Sequence, residues 1–401
     1  MKLRAELFWT ILVQGCGAVA AVAALGLLGA ALGPASQGLF SRTKAEIELV
    51  AAFATLGLPQ SLFFHLRQRG LSLRRATSIS VLAAMLSVPA SVAYISIFSH
   101  IELIDTLMFV AAAFASVLHA NIRAVSLAVA PSRTFNIVTA VPQFGLLAYS
   151  GYAAATGAAT SVHICAAIFA SMTLGSIVAA RAILKSPQWT VADPHPAGLK
   201  ASLVRYGAAA GVSSMLFAAS TLICLRVAEQ RLGATSLGVF SMSLALAQTL
   251  ITPLNYTLPL LFKHWTRDGR SASAVKVGLA AATLPLVAAL AFLALRWTGT
   301  SMDWLGQYSA VSDVAWLMLL AISAESLFRV VSVGANAHGR PWLPVVGDVG
   351  RVAVLVSAFF LFRVDDLTAI GATWLLACFV SAGILLLLWW SSFLWPARRT
   401  L

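Results

Sequence analysis

The sequence predicts an all-α polytopic membrane protein, with twelve transmembrane helices in two parallel six-helix repeats around a central cavity. Three observations predict it: a strongly apolar composition, twelve apolar runs of bilayer length, and a motif that recurs 200 residues further on.

Of 401 residues, 60% are hydrophobic and only 10% are charged, with a mean hydropathy of +0.88. Soluble domains carry roughly a quarter charged residues, so a soluble globular chain is excluded. Disorder, a fibrous repeat and a disulfide scaffold fall with it. Cys16, Cys165, Cys224 and Cys378 stand singly in apolar runs, without zinc spacing, and read as small buried residues without bridges.

A membrane helix needs about 20 mostly apolar residues. Such runs occur near 8–32, 45–65, 77–98, 103–129, 135–155 and 159–182, then near 203–226, 236–262, 274–297, 312–338, 342–363 and 367–395. Pro59, Pro89, Pro142, Pro253, Pro259 and Pro285 fall inside them and are expected to kink helices whose freed carbonyls find other partners in a bundle. The first run follows Lys2 and Arg4 but, at about 25 residues, exceeds the apolar core of a signal peptide, so it reads as an uncleaved helix.

With the N-terminus in the cytoplasm, inner ends and loops carry eighteen of the 27 Lys and Arg, among them Arg67, Arg69, Arg74, Arg75, Lys263, Arg267, Arg270, Lys276, Arg398 and Arg399. Outer loops carry six. This bias places both termini in the cytoplasm and accounts for most of the net charge of +13. The longest loop, near 183–202, is the only Pro-rich polar linker and falls at the midpoint. The expected domains are therefore 1–184, a linker 185–201, and 202–401. No loop is long enough to fold as a catalytic domain.

Residues 32–41 read LGPASQGLFS and residues 232–241 read LGATSLGVFS. Gly33/Gly233, Gly38/Gly238 and Phe40/Phe240 share this register, as do Leu58-Pro59 with Leu258-Pro259 and Arg67 with Arg267. A duplication with six spans per half makes the repeats parallel, the geometry of an alternating-access transporter. The glycines suit tight turns or close helix packing.

Five ionisable residues sit deep within spans: Arg123, Glu325, Arg329, Asp348 and Arg351. Each costs about 2.5–3.5 kcal/mol at a helix centre and should face an interior or a wet cavity. His119 and Arg123 are four apart, as are Glu325 and Arg329 at an offset of 206; Asp348 and Arg351 are three apart. Two readings stay open. The pairs are structural, or the arginines bind an anionic headgroup with Glu325 or Asp348 as a coupling-ion site. Arg42, Lys44 and Arg226 at outer span ends are further headgroup candidates or merely solvated, as is Arg231, while His163 and His338 read as packing residues. No Walker A, GxGxxG or HExxH sequence occurs, so no cofactor, metal or nucleotide-hydrolysing module is expected. Basic residues dispersed along one membrane face do not suggest nucleic acid.

At LGPASQGLFS, at LGLPQSLFFHLRQRG, and at Leu203-Val204-Arg205-Tyr206-Gly207 opening span 7, the chain resembles a known family. This is the O-antigen flippase type of polysaccharide exporter, in the multidrug/oligosaccharidyl-lipid/polysaccharide (MOP) superfamily. The resemblance implies movement of an undecaprenyl-pyrophosphate-linked oligosaccharide across a bacterial cytoplasmic membrane for O-antigen, capsule or exopolysaccharide synthesis. It also implies contact with membrane lipids and work alongside a polymerase and a ligase. Family cavities are strongly cationic, whereas the five deep charges here sum to only +1. The competing expectations are a multidrug organic-cation antiporter, which would want acidic cavities, an integral-membrane glycan polymerase or ligase, which would want a large outer loop, and a non-transporting scaffold.

Overall fold

A computed structural model describes residues 2–68, 70–98, 102–157, 159–190, 199–268, 273–298, 303–362 and 364–394. Arg69, Arg270, Arg398, Arg399 and the 191–198 stretch of the expected linker lie outside the described residues. The described chain forms twelve α-helices. The first six are α1 (Lys2–Thr55), α2 (Leu58–Gln68), α3 (Leu73–Phe98), α4 (Leu103–Val129), α5 (Ser132–Thr156) and α6 (Ser161–Leu184). The second six are α7 (Leu199–Leu232), α8 (Ala234–Asp268), α9 (Ala274–Trp297), α10 (Val311–Ala337), α11 (Trp342–Leu361) and α12 (Leu367–Leu394). Ten of them are long and apolar enough to cross a bilayer. The chain is an all-α multi-span membrane protein.

The first two expected spans are divided differently. α1 runs through the first and into the second, interrupted only at Gly33 (φ 77°, ψ 176°). Glycine tolerates that positive φ, and Pro34 needs no amide partner where the next helical segment starts. The second span then breaks at Leu56 (φ 45°) and Gly57 (φ 66°) and resumes as the 11-residue α2. Pro59 is thus the second residue of a new helix and not a kink inside one, whereas Pro89, Pro142, Pro253, Pro259 and Pro285 do lie within helices. α5 is not among the ten apolar helices, since Asn136 and Gln143 lower its hydropathy.

Packing repeats between the halves. α3 against α4, α4 against α6, α5 against α6, and α1 against α5 have counterparts in α9 with α10, α10 with α12, α11 with α12, and α7 with α11. α4 and α10 are central, and α10 is the most enclosed apolar helix described. α9 is the least enclosed and exposes Leu279, Leu284, Leu286, Val287, Leu290 and Leu295. Such a face suits hydrocarbon and would be a large sticky patch in water.

The halves meet through α1 and α2 against α7 and α8. The recurrent motif lies in this seam and meets its own copy. A Cβ on Gly38 would stand 2.9 Å from the Gly238 nitrogen, and one on Gly238 only 2.0 Å from the Pro34 oxygen. Nearer the other end, a Cβ on Gly57 would stand 2.2 Å from the Gly207 oxygen and 2.3 Å from the Gly211 nitrogen. Backbones this close admit no side chain.

Gly57→Ala should therefore cost about 1–3 kcal/mol, from positive-φ strain together with overpacking. Gly15→Ala, at a position with open space around it, should leave the detergent melting temperature near the wild-type value. Equal melting of the two variants would show that the seam is not packed this tightly.

Candidate substrate cavities and a buried charge network

One helical turn separates Glu325 from Arg329 on α10, and one turn separates Asp348 from Arg351 on α11. The fold joins these two local pairs into one network. Glu325 accepts from Arg329 Nε at 2.7 Å through one oxygen and from Arg351 through the other. Arg351 Nη1 lies 3.2 Å from Asp348 Oδ1, and its Nη2 donates to Ser381 Oγ of α12 at 3.2 Å. Ser213 of α7 donates to Asp348. Arg329 Nη1 donates to Asn255 Oδ1 of α8 at 2.8 Å. The Phe217 ring lies beneath both guanidinium groups, 4.5 Å from that of Arg329 and 5.2 Å from that of Arg351.

Two cations meet two anions, and burial makes that balance necessary. The side chains of Arg351 and Glu325 are 0% and 2% exposed, while Arg329 retains 24%. Arg351, expected as a headgroup ligand, is thus enclosed with both neighbouring carboxylates upon it and is not in the wall of either seam cavity. Glu325 and Asp348, expected as coupling-ion residues, already hold guanidinium groups where an ion would sit. Among the described residues no group of three or more His, Cys, Asp or Glu could hold a metal ion.

The first half keeps an arginine, Arg123, at the position equivalent to Arg329 but has no carboxylate at the position equivalent to Glu325. His119 stands where Glu325 does; its ring lies over Gly175, where a Cβ would stand 2.6 Å from it. Gln14 and Thr10 of α1 reach Asn136 of α5, at 3.2 and 2.9 Å, where α7 and α11 use Ser213 and Asp348. Asn121 is buried, and neither of its amide atoms has a hydrogen-bond partner among the described residues.

Arg123, one turn beyond His119, reaches the seam. It lines a cavity of about 230 Å³ with Gln60, Phe63, Asn255, Phe262 and Asn336. Arg329 does not line this cavity, but Asn255, which it holds, does. The two halves thus approach one cavity, Arg123 directly and Arg329 through an amide. Gln60 Oε1 and Asn336 Oδ1 are buried without hydrogen-bond partners among the described residues.

A second seam cavity, of about 160 Å³, lies between α1, α7, α8 and Gln143 of α5. Its polar walls are hydroxyls and amides, including Ser41, Thr221, Gln143 and Gln248, together with Lys44 and Glu48. Lys44 pairs with Glu48 at 2.9 Å. Arg42 and Arg226, read from sequence as headgroup candidates or solvated loop residues, line neither cavity and instead engage Glu229 and Glu46. Arg231 donates to the Phe359 carbonyl at 3.1 Å. His163 packs edge-on to Tyr152, and His338 lies beside Trp389. All four cysteines are free; Cys16 is exposed and the rest are buried.

Sequence reasoning missed Asn255, Gln60 and Asn336. The first two carried a signal, since Asn255 sits between Pro253 and Pro259 and Gln60 follows the recurrent Leu-Pro pair.

Solved structures supply the fold comparison. An outward-facing multidrug resistance MATE family transporter of the MOP superfamily superposes with a TM-score of 0.71 at 14% identity, covering 98% of this chain and 96% of that one. The chain shares the fold of that protein. A MATE protein in complex with MaD5 gives a TM-score of 0.68 at 15% identity, covering 98% of this chain and 96% of that one. A MOP superfamily transporter from Pyrococcus furiosus, whose structure is described as having a binding pocket of reverse polarity, gives 0.68 at 13% identity, covering 99% and 96%. No protein-family profile and no curated protein matches the sequence.

Glu325→Gln should destabilise the protein by about 3–5 kcal/mol, because Arg351 is left buried without half its counter-charge. Glu325→Gln combined with Arg351→Met should cost less than the two single changes summed, in melts of purified protein. Strict additivity would mean that the two side chains do not interact.

Proposed function

We propose that this MOP-fold protein is a flippase that moves an undecaprenyl-pyrophosphate-linked oligosaccharide across a bacterial cytoplasmic membrane by alternating access. The observation that carries the reading is the 230 Å³ seam cavity, walled by Arg123 and approached from the other half by Arg329 through Asn255. A diphosphate is matched by the planar donor fork of arginine. The amide- and hydroxyl-lined second cavity suits sugar hydroxyls. A polyprenyl tail needs no pocket, since it remains in lipid.

In this reading α1 crosses the membrane twice, turning at Gly33, so ten apolar helices together with α5 make twelve passes. The domains are 1–184 and 202–401, both termini are cytoplasmic, and the product passes to a polymerase and a ligase. The repeated packing of the two halves supports a rocking motion about the seam.

Several structural relatives are multidrug transporters. Export of an organic cation would call for a cavity carboxylate without a basic partner; Glu325 and Asp348 are both engaged by arginine, and Glu48, in the wall of the second cavity, pairs with Lys44. The reverse-polarity description of the Pyrococcus furiosus protein supports the premise that this fold carries pockets of either sign.

Arg123→Ala should lower flipping of an undecaprenyl-diphosphate oligosaccharide in proteoliposomes about tenfold, the loss of one charge-assisted contact. Arg123→Lys should restore part of the rate, and the melting temperature should not move. Wild-type flipping by Arg123→Ala would remove Arg123 from the mechanism, and transport of an organic cation but no lipid-linked glycan would overturn the assignment.

A further inference from the structure

Arg42 and Glu46 lie one turn apart in α1, beyond its Gly33 turn; Arg226 and Glu229 lie one turn apart near the end of α7. The four side chains form a ring in which the charge alternates. Across the seam, Arg42 engages Glu229, and Arg226 Nη2 donates to Glu46 Oε1 at 2.5 Å. Within each helix the contacts are looser, 3.6 Å for Arg42–Glu46 and 3.9 Å for Arg226–Glu229. The tight pairs therefore join the halves, and the loose pairs lie inside each half.

We propose that this ring is a partner-exchanging latch that closes the end of the transporter nearest Gly33 and Gly233. The proposal rests on the alternating-access reading above. When the halves part at this end, each arginine loses its glutamate across the seam and settles on the glutamate one turn away in its own helix. Neither half then shows water or lipid an uncompensated charge, so the latch opens without the penalty that separating a lone ion pair would carry. The surroundings fit a closing surface. Gly38 and Gly238 meet backbone to backbone nearby, and Tyr308 donates to Gln37 at 2.5 Å. The second cavity lies against the ring, since Ser41, Ala45 and Leu225 in its wall are chain neighbours of Arg42, Glu46 and Arg226.

Charge arithmetic separates this latch from a static ion pair. Across the wild-type seam two contacts attract, while the diagonals Arg42/Arg226 and Glu46/Glu229 repel. In the exchange variant Arg42→Glu/Glu229→Arg every interaction across the seam attracts, and each helix carries like charges one turn apart, so the fallback is lost. The exchange should therefore hold this end more firmly closed than the wild type. Glu229→Arg alone places a third cation in the ring and should open it.

The test is pulsed electron paramagnetic resonance on purified protein, in a Cys16→Ala background, with spin labels at Ala35→Cys and Thr235→Cys. Both are exposed positions one repeat apart on the two sides of the seam. Glu229→Arg should shift the distance distribution outward, and adding Arg42→Glu should return it to a population shorter and narrower than wild type. Glu46→Gln/Glu229→Gln, a gentler change, should give an outward shift of the same sign. An unmoved distribution in the Gln variant, or an exchange variant as open as Glu229→Arg alone, overturns the latch. The readout uses no substrate, so a protein that moves something other than a lipid-linked glycan leaves this result intact.

Discussion

A guanidinium inside a bundle surrounded by hydrocarbon has to bring its counter-charge with it. In this protein that requirement orients five helices at once. Glu325 sits between Arg329 and Arg351, Asp348 leans on Arg351 and Ser213, Asn255 accepts from Arg329, and Ser381 accepts from Arg351. α7, α8, α10, α11 and α12 must each present one particular face for the network to close, so their rotations are set together. Phe217 adds a second constraint, because its ring lies under both cations.

The other half meets the same geometry without the carboxylates. Gln14 and Asn136 link α1 to α5 through neutral amides, and His119 replaces a carboxylate. Duplicate scaffolds have thus taken different tasks. One half is held by ion pairing; the other contributes the arginine that lines the seam cavity. The low sum of deep charges is explained by this division. Cancellation within one half says little about the cavity, where position and not the total decides what a ligand meets.

Much of this was legible in the sequence. Apolar runs located the long helices, and the LGPASQGLFS repeat identified the seam, because glycines that recur at one offset lie where two copies of a backbone touch. Spacing along one helix also revealed the Glu325–Arg329 and Asp348–Arg351 pairs. Their merger into one network was hidden, since it depends on how α10 rotates against α11. Arg42 and Arg226 left headgroup binding unsettled because their partners across the seam lie 187 and 180 residues away. The break at Leu56-Gly57 was equally hidden, as an apolar run continues through it, and only the approach of Gly207 and Gly211 gives it a cause.

The spacing of the buried pairs has a consequence for biogenesis. Beyond its exposed first turn, where Asp313 meets Arg296, α10 carries one acid and one base a turn apart, and so does α11, so each buried stretch is electrically neutral before it meets any neighbour. Each can therefore leave the translocon and partition into lipid singly, its charges folded back on one another. Docking then adds the Glu325–Arg351 bridge between helices to these pairs. Insertion and final assembly of these two helices are in this way separable events, and neither strands one of their four charges naked in the bilayer.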